Sequence, residues 1–229
     1  MNLKKSVVFA GFLGLAVVLF VFYTQSQTFS PQQLRERAKT EVDELKNSGL
    51  IQNGDIIFQT SLSSQSQAIQ LATHSKYSHC GIIYEEKGRF YVFEAIQPVK
   101  TTPLDTWIAR GKNGHYVIKR LHNADDILTT NTLQKMKAEG QKFKGKNYDL
   151  TFEWSDDRIY CSELVWKIYQ RATGIEIGEL ETLSDFDLSH AIVREKIKER
   201  FGEKIPKNET VISPAALYES NLLITVQSN

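Results

Sequence analysis

The 229-residue sequence has little cysteine and no surplus of charge of either sign. Its two cysteines, Cys80 and Cys161, are too few for a disulfide framework or for a four-cysteine zinc site. Lysine and arginine total 28 and aspartate and glutamate total 27, so the formal net charge is +1. Because a nucleic-acid groove normally needs a basic surplus, we expect no nucleic-acid partner.

The sequence also lacks internal repeats, low-complexity tracts and any long linker. Hydrophobic residues make up 41% of the chain, which is enough for one packed core and too many for a disordered protein. We therefore expect one α+β domain over residues 50–229, preceded by two short N-terminal segments.

The first of these segments, residues 1–29, has the pattern of a signal or membrane anchor. Lys4 and Lys5 precede an uncharged apolar run of 17 residues from Val7 to Tyr23, long for a secretory signal and just long enough to span a bilayer. We favour an uncleaved inner-membrane anchor that leaves the rest of the chain outside the cytoplasm, in the cell envelope. Cleavage before Gln27, which would release a periplasmic protein, is the alternative.

The second segment, residues 30–49, is predicted to be an amphipathic helix. Ser30 and Pro31 form a helix start, apolar residues follow at spacings of three and four, and Gly49 ends the pattern. In the remaining chain, strand patterns cover residues 55–58, 79–84, 89–95 and 115–121. Helix patterns cover residues 64–74, 102–107, 130–143, 161–172 and 189–201, with a last helical turn at Pro214.

Cys161 begins a predicted helix, directly after a polar loop. Free backbone N–H groups and the positive end of the helix dipole favour a thiolate there, and the same N–H groups can bind an oxyanion. Cys161 is therefore the candidate nucleophile, and the alternative is a small buried side chain in a helix.

His79 is the best placed of the five histidines to act as the base, because it begins a strand at the end of a sheet. If residues 85–88 form a four-residue hairpin loop, opposed residues have numbers that sum to 173, and His79 lies opposite Glu94. A carboxylate there can orient the imidazole, as in a catalytic triad. The alternative is an ordinary polar pair across two strands.

Cys80 should point to the face opposite His79 and lie in the core, which argues against a Cys80–Cys161 disulfide. A zinc site made by His74, His79 and Cys161 is possible from residue types alone, but no spacing motif supports it.

Several stretches of the sequence resemble the YiiX/YaeF-like permuted papain-fold family, relatives of the NlpC-type cell-wall amidases. These stretches are Gly54-Asp55-Ile56-Ile57-Phe58-Gln59, Tyr77-Ser78-His79, Val92-Phe93-Glu94-Ala95, Gly145-Lys146-Asn147-Tyr148-Asp149 and Asp157-Arg158-Ile159-Tyr160-Cys161-Ser162-Glu163. The resemblance implies a circularly permuted papain-like α+β core, in which an antiparallel sheet packs on the cysteine-bearing helix.

Carried over residue by residue, the resemblance implies Cys161 as the nucleophile, His79 as the base and Glu94 as the third polar residue. It implies that Tyr77 helps to hold the oxyanion; the alternative for this residue is a packed core aromatic. Neither a cofactor nor a metal is required by this chemistry.

We therefore expect an enzyme, a cysteine-dependent hydrolase of amide or ester bonds. Its substrate would be a cell-wall peptide, an N-acylated amino acid or a lipid, and the protein would be a monomer. Two alternatives stay open: an acyltransferase or lipid hydrolase on the same triad, and a ligand-binding protein without turnover.

Overall fold

The computed structural model describes residues 29–229. The helices are α1 (Pro31–Ser48), α2 (Ser64–Thr73), α3 (Leu104–Arg110), α4 (Ala124–Ile127), α5 (Thr130–Phe143), α6 (Cys161–Thr173), α7 (Ala191–Phe201) and α8 (Pro214–Glu219). The strands are β1 (Ile56–Gln59), β2 (His79–Glu86), β3 (Arg89–Glu94), β4 (Lys100–Pro103), β5 (Tyr116–Leu121), β6 (Glu181–Thr182), β7 (Thr210–Val211) and β8 (Leu223–Ser228).

Six of these strands form an antiparallel sheet in the order β4-β3-β2-β1-β5-β8. Alternate residues of each strand point to opposite faces, so the sheet has an apolar core on both sides. One core includes Ile56, Cys80 and Ile82 and is covered by α5 and α6, and the other includes Ile57 and Ile83 and is covered by α1 and α3. The predicted α+β fold, with an antiparallel sheet packed on the cysteine-bearing helix, is confirmed.

The β2–β3 hairpin has a different register from the predicted one. Glu86 pairs with Arg89 and Ile82 pairs with Phe93, so opposed residues sum to 175 and the loop is Lys87-Gly88 alone. Both loop residues have positive φ, 51° and 75°, as a tight two-residue hairpin turn of type I′ requires. The prediction of a four-residue loop failed because Glu85 and Glu86 are exposed strand residues, and their polarity resembles that of a loop.

The observed register differs from the predicted register by two residues. This shift changes which residue lies across from His79, but Glu94 stays on the same face of the sheet. The observed register places Glu94 across from Gly81, two residues farther along β2 than predicted. A side chain at Gly81 would collide with Val92 and with the Phe93 carbonyl, at 2.4 and 2.8 Å from its Cβ. The glycine therefore lets β2 and β3 pack closely beside the His79–Glu94 pair.

The predicted amphipathic helix near the N-terminus is present as α1. Ser30 accepts a hydrogen bond from the Gln33 backbone and Gly49 ends the helix in the left-handed conformation. Ala38 and Leu45 are buried against the α3 side of the sheet. The apolar run Val7 to Tyr23 lies outside the described residues; within residues 29–229, no helix is both long enough and apolar enough to cross a bilayer.

Candidate active site

Cys161 is the first residue of α6, and it is 2% exposed. Tyr160, in extended conformation, leads into the helix, so the backbone N–H groups of the first helical turn have no partner within the helix. The next residue, Ser162, donates a hydrogen bond to the Ile212 carbonyl at 2.7 Å. This bond holds the start of α6 in place beside the end of the sheet.

His79 and Glu94 lie in contact, as the sequence predicted despite the wrong register. His79 Nε2 is 2.6 Å from Glu94 Oε2. The imidazole also stacks on Trp107 of α3, with ring centroids 5.8 Å apart. Because a carboxylate only accepts, Nε2 carries the proton and the other ring nitrogen, Nδ1, is left for Cys161.

Glu94 is fully buried and accepts hydrogen bonds from three further residues. Thr102 donates to Oε1 at 2.6 Å, and Trp107 Nε1 and Arg110 Nη2 donate to Oε2 at 2.9 and 2.5 Å. Burial opposes ionisation of Glu94, but the bonds and charges of His79 and Arg110 outweigh it and lower its pKa to about 2. Glu94 is therefore a carboxylate at neutral pH, locked in one orientation.

The electrostatics favour a thiolate and an imidazolium. A hydrogen bond from Cys80 and the hydrogen bond and charge of His79 outweigh burial and hold the pKa of Cys161 well below its usual value. Burial alone would discharge His79, but its hydrogen bonds with Cys161 and Glu94 raise its pKa to about 9. Cys161 and Glu94 then carry two negative charges in the site, and His79 and Arg110 carry the two positive charges that balance them.

Cys80 is buried in the core as predicted, and both thiols are free. Cys80 also points to the face of β2 opposite His79, as predicted, and lies near enough to Cys161 to influence its pKa. The helix α6 packs on the face of β2 to which Cys80 and Ile82 point. His79 lies at the very start of β2, where it can meet Cys161 around the end of the strand.

Tyr77 lies in an aromatic cluster. Its ring is 4.2 Å from that of Tyr218 and 6.1 Å from that of Phe58, measured between centroids. A second tyrosine, Tyr148, lines the same pocket as Cys161, and its hydroxyl accepts from Gln65 Nε2 at 3.3 Å. Burial is the larger of two effects that raise the pKa of Tyr148 well above its usual value, and the charge of Cys161 is the other. The Tyr148 hydroxyl therefore stays protonated.

Sequence reasoning gave Tyr148 no role, although its motif was part of the resemblance. The residue reaches the site because Tyr148 pairs with Ile159 in an isolated parallel bridge, two residues before Cys161. This closure of the loop over residues 149–158 has no signal in the sequence. Thr102, Trp107 and Arg110 were missed for the same reason, since they come from β4 and α3 and reach Glu94 only after folding.

The alternative zinc set does not come together. His74 lies at the end of α2, 74% exposed, with Nε2 3.4 Å from Asp187, whereas His79 is bound to Glu94. Across residues 29–229, no group of three or more histidine, cysteine, aspartate and glutamate side chains is arranged to hold a metal ion.

A cysteine at a helix start, a buried histidine and a carboxylate on an antiparallel sheet have the arrangement of a papain-like thiol site. Residues 50–227 match the family described as "Permuted papain-like amidase enzyme, YaeF/YiiX, C92 family", and the chain belongs to this family.

Two relatives from Escherichia coli show the extent of the match. The uncharacterized protein YiiX of strain K12 is 51% identical over 175 residues, which are 76% of this chain and 85% of that protein. A crystal structure described as that of metalloprotein YiiX, from strain O157:H7, is also 51% identical and superposes with a TM-score of 0.74, covering 78% of this chain and 97% of that one.

Proposed function

We propose that the protein is a thiol amidase in which Cys161 is the nucleophile, His79 the proton carrier and Glu94 the residue that orients His79. The observation that supports this most strongly is geometric: Cys161 begins α6, and the buried His79 beside it is bonded to Glu94 at 2.6 Å. A site at the start of a helix with a preformed thiolate is suited to attack a carbonyl carbon.

The reaction has two stages. In the first, the Cys161 sulfur bonds to the carbonyl carbon, the carbon–nitrogen bond breaks, and the leaving nitrogen takes the proton of the His79 imidazolium. In the second, His79 takes a proton from water, the resulting hydroxide oxygen bonds to the carbon, and the carbon–sulfur bond breaks to restore the thiolate. The products are a carboxylic acid and an amine.

The oxyanion formed in each stage would be held by two donors. One is the backbone N–H of Cys161, and the other is the protonated hydroxyl of Tyr148, which adjoins the sulfur. Tyr148 thus takes the role expected of Tyr77, whose ring packs against those of Tyr218 and Phe58. Gln65, bonded to Tyr148, would position that hydroxyl.

The rival functions differ in what they require of the site. A ligand-binding protein has no need of an activated thiol, so the depressed pKa of Cys161 favours catalysis. An acyltransferase would use the same first stage and replace water by another acceptor. Cell-wall peptides, N-acylated amino acids and lipids all contain bonds that this chemistry can break.

A metal has no step in this proposal. The related crystal structure from strain O157:H7 is described as that of a metalloprotein. In the part of this chain that the structure describes, the site residues do not form a metal-ligand cluster, and the carboxylate of Glu94 is already saturated by four donors.

The test uses octanoyl-p-nitroanilide, an amide with an apolar acyl group and a coloured leaving group. We expect release of nitroaniline by the wild type and none by Cys161→Ala. Tyr148→Phe should lower kcat by roughly 100-fold, the scale for losing one oxyanion donor, whereas Tyr77→Phe should have little effect. Product analysis with added hydroxylamine separates hydrolysis from acyl transfer. Equal rates for the wild type and Cys161→Ala would contradict the proposal.

A further inference from the structure

Tyr148 lies in a short extended segment that is hydrogen-bonded along both of its edges. On the first edge, the Ile159 N–H donates to the Asn147 carbonyl at 3.2 Å and the Asp149 N–H donates to the Ile159 carbonyl at 3.1 Å. Because Ile159 lies two residues before Cys161, this edge ties the segment to the start of α6. In an extended chain the N–H of the middle residue points to the opposite edge, where it needs a partner of its own.

Gln97, in the loop between β3 and β4, is the partner on the second edge. Its Oε1 accepts a hydrogen bond from the Tyr148 N–H at 2.8 Å, and its Nε2 donates to Asn147 Oδ1 at 2.7 Å. One carboxamide therefore does what a neighbouring strand does in a sheet, and both its acceptor and its donor group are used.

The loop that carries Gln97 is itself fixed at both ends. It follows directly after Glu94, the last residue of β3. Near its other end, the Val99 N–H donates to the carbonyl of residue 146 and the Val99 carbonyl accepts from the N–H of residue 145, both at 2.9 Å. Gln97 therefore joins the strand that carries the buried carboxylate to the segment that carries Tyr148.

The Tyr148 hydroxyl depends on this backbone support. The bond that it accepts from Gln65 Nε2 is long, at 3.3 Å, so it fixes the hydroxyl weakly. The phenol is a long side chain, and a small rotation of the Tyr148 backbone therefore moves the hydroxyl by a larger distance. An oxyanion donor tolerates little of this, since a misplacement of about 1 Å costs a reaction roughly 100-fold.

We infer that Gln97 is a positioning residue: by holding the backbone of Tyr148, it sets the Tyr148 hydroxyl at the place where the oxyanion forms beside Cys161. This inference rests on the proposed amidase function, in which Tyr148 is an oxyanion donor. Gln97 acts through Tyr148 and is not itself a catalytic residue. Because the oxyanion exists only during the reaction, loss of Gln97 should lower kcat and leave KM almost unchanged.

The first test measures cleavage of octanoyl-p-nitroanilide by Gln97→Leu, which keeps the size of the side chain and removes both hydrogen bonds. We expect kcat to fall roughly 10-fold, since the hydroxyl is displaced rather than removed, and KM to stay within about twofold. Gln97→Glu keeps an oxygen that accepts from the Tyr148 N–H, so its kcat should stay within about threefold of the wild type. Gln134→Leu, at an exposed glutamine of α5, is the matched control and should keep the wild-type kcat. An unchanged kcat in Gln97→Leu would overturn the inference.

Combination with Tyr148→Phe decides whether Gln97 acts through Tyr148. Without the hydroxyl there is nothing left to position, so Gln97→Leu should lower kcat no further in the Tyr148→Phe background. Alkylation of Cys161 by iodoacetamide forms no oxyanion, so Gln97→Leu should react at the wild-type rate. Losses in kcat that multiply, or a slower alkylation, would show that Gln97 supports the whole site and would overturn the inference.

A readout without catalysis keeps the two proposals distinguishable. In the Cys161→Ala variant, 3-fluorotyrosine in place of Tyr148 reports the surroundings of the ring by fluorine NMR. We expect Gln97→Leu to move this resonance toward its position in the unfolded chain, and Gln134→Leu to leave it unchanged. An unmoved resonance in Gln97→Leu overturns the inference even if the wild type cleaves the p-nitroanilide. A moved resonance, with no cleavage by the wild type, contradicts the amidase function and keeps the role of Gln97 in placing Tyr148.

Discussion

His79 and Glu94 are bonded at 2.6 Å although they do not face each other across the β2–β3 hairpin. The residue across from Glu94 is Gly81, and Glu94 reaches diagonally to His79 on the same face of the sheet. Gly81 presents no side chain between them, so the pair lies close in spite of its diagonal placement.

Substitutions of Glu94 should separate two contributions of this residue: it orients His79, and it places a negative charge beside the imidazole. Glu94→Gln keeps an oxygen that accepts from Nε2 and can donate to Thr102, so kcat should fall by roughly 10-fold. Glu94→Ala leaves four donors without an acceptor, three of them buried, and should cost at least about 100-fold in kcat and about 3 kcal/mol of unfolding free energy. Steady-state kinetics and urea unfolding measure both. A Glu94→Ala variant with unchanged kcat would remove Glu94 from the mechanism.

The Glu94 carboxyl should also make the free energy of unfolding depend on pH in the acid range. The folded pKa of Glu94 is about 2, below the ordinary value of 4.5, so its stabilisation is complete above about pH 4.5 and is lost as the pH falls through 2. The difference corresponds to about 3 kcal/mol. Urea unfolding at several pH values should show a shallower decline between these limits for Glu94→Gln than for the wild type. Parallel curves of unfolding free energy against pH for the two proteins would show that the pKa of Glu94 is not lowered in the folded protein.

Cys80 should tune the thiol without being required for turnover. Cys80→Ala removes a hydrogen bond to Cys161, so the pKa of Cys161 should rise and the acid limb of the kcat/KM profile should move to higher pH. Because a thiol is a weak donor, we expect a shift of no more than about one unit. Cys80→Ser, which retains a donor, is the matched variant and should keep the wild-type profile. Loss of all activity in a folded Cys80→Ala protein would make Cys80 essential and contradict this role.

We propose that the N-terminal segment, residues 1–29, is an anchor that leaves the catalytic domain in the cell envelope. An alkaline phosphatase fused after Asn229 should be active only outside the cytoplasm, and the protein should sediment with membranes. A soluble protein that starts at Gln27 would replace the anchor by a cleaved signal. A fusion that is synthesised but inactive would contradict export, because alkaline phosphatase does not form its disulfides in the reducing cytoplasm.

Local patterns were enough to predict most elements, and α5 has the predicted bounds, 130–143. Helix periodicity and capping residues are local, and so is the alternation that puts Glu94 on the face of His79. The final strand β8 was missed because it is an edge strand whose pairing with β5 arises only in the folded chain. The hairpin register also failed, since positive φ at Lys87 is a conformation that few residues other than glycine adopt and that polarity does not reveal.

The proposed nucleophile, base and carboxylate could be selected from the sequence because each begins or ends a regular element. The residues that surround them could not be selected in this way. Face alternation gave the right burial and the right face for Cys80, because both follow from its position in β2. Tyr148 reaches the site through a loop closure, which is a tertiary event.

The ion pair of Cys161 and His79 is tested most directly by the rate at which iodoacetamide alkylates Cys161, followed by peptide mass spectrometry that separates it from Cys80. We expect the rate at about pH 6 to remain within roughly threefold of the rate at pH 8, because Cys161 is already a thiolate there. His79→Asn should restore an ordinary profile. A wild-type rate that falls roughly 100-fold from pH 8 to pH 6, as for a free thiol with a pKa near 8.5, would contradict the ion pair.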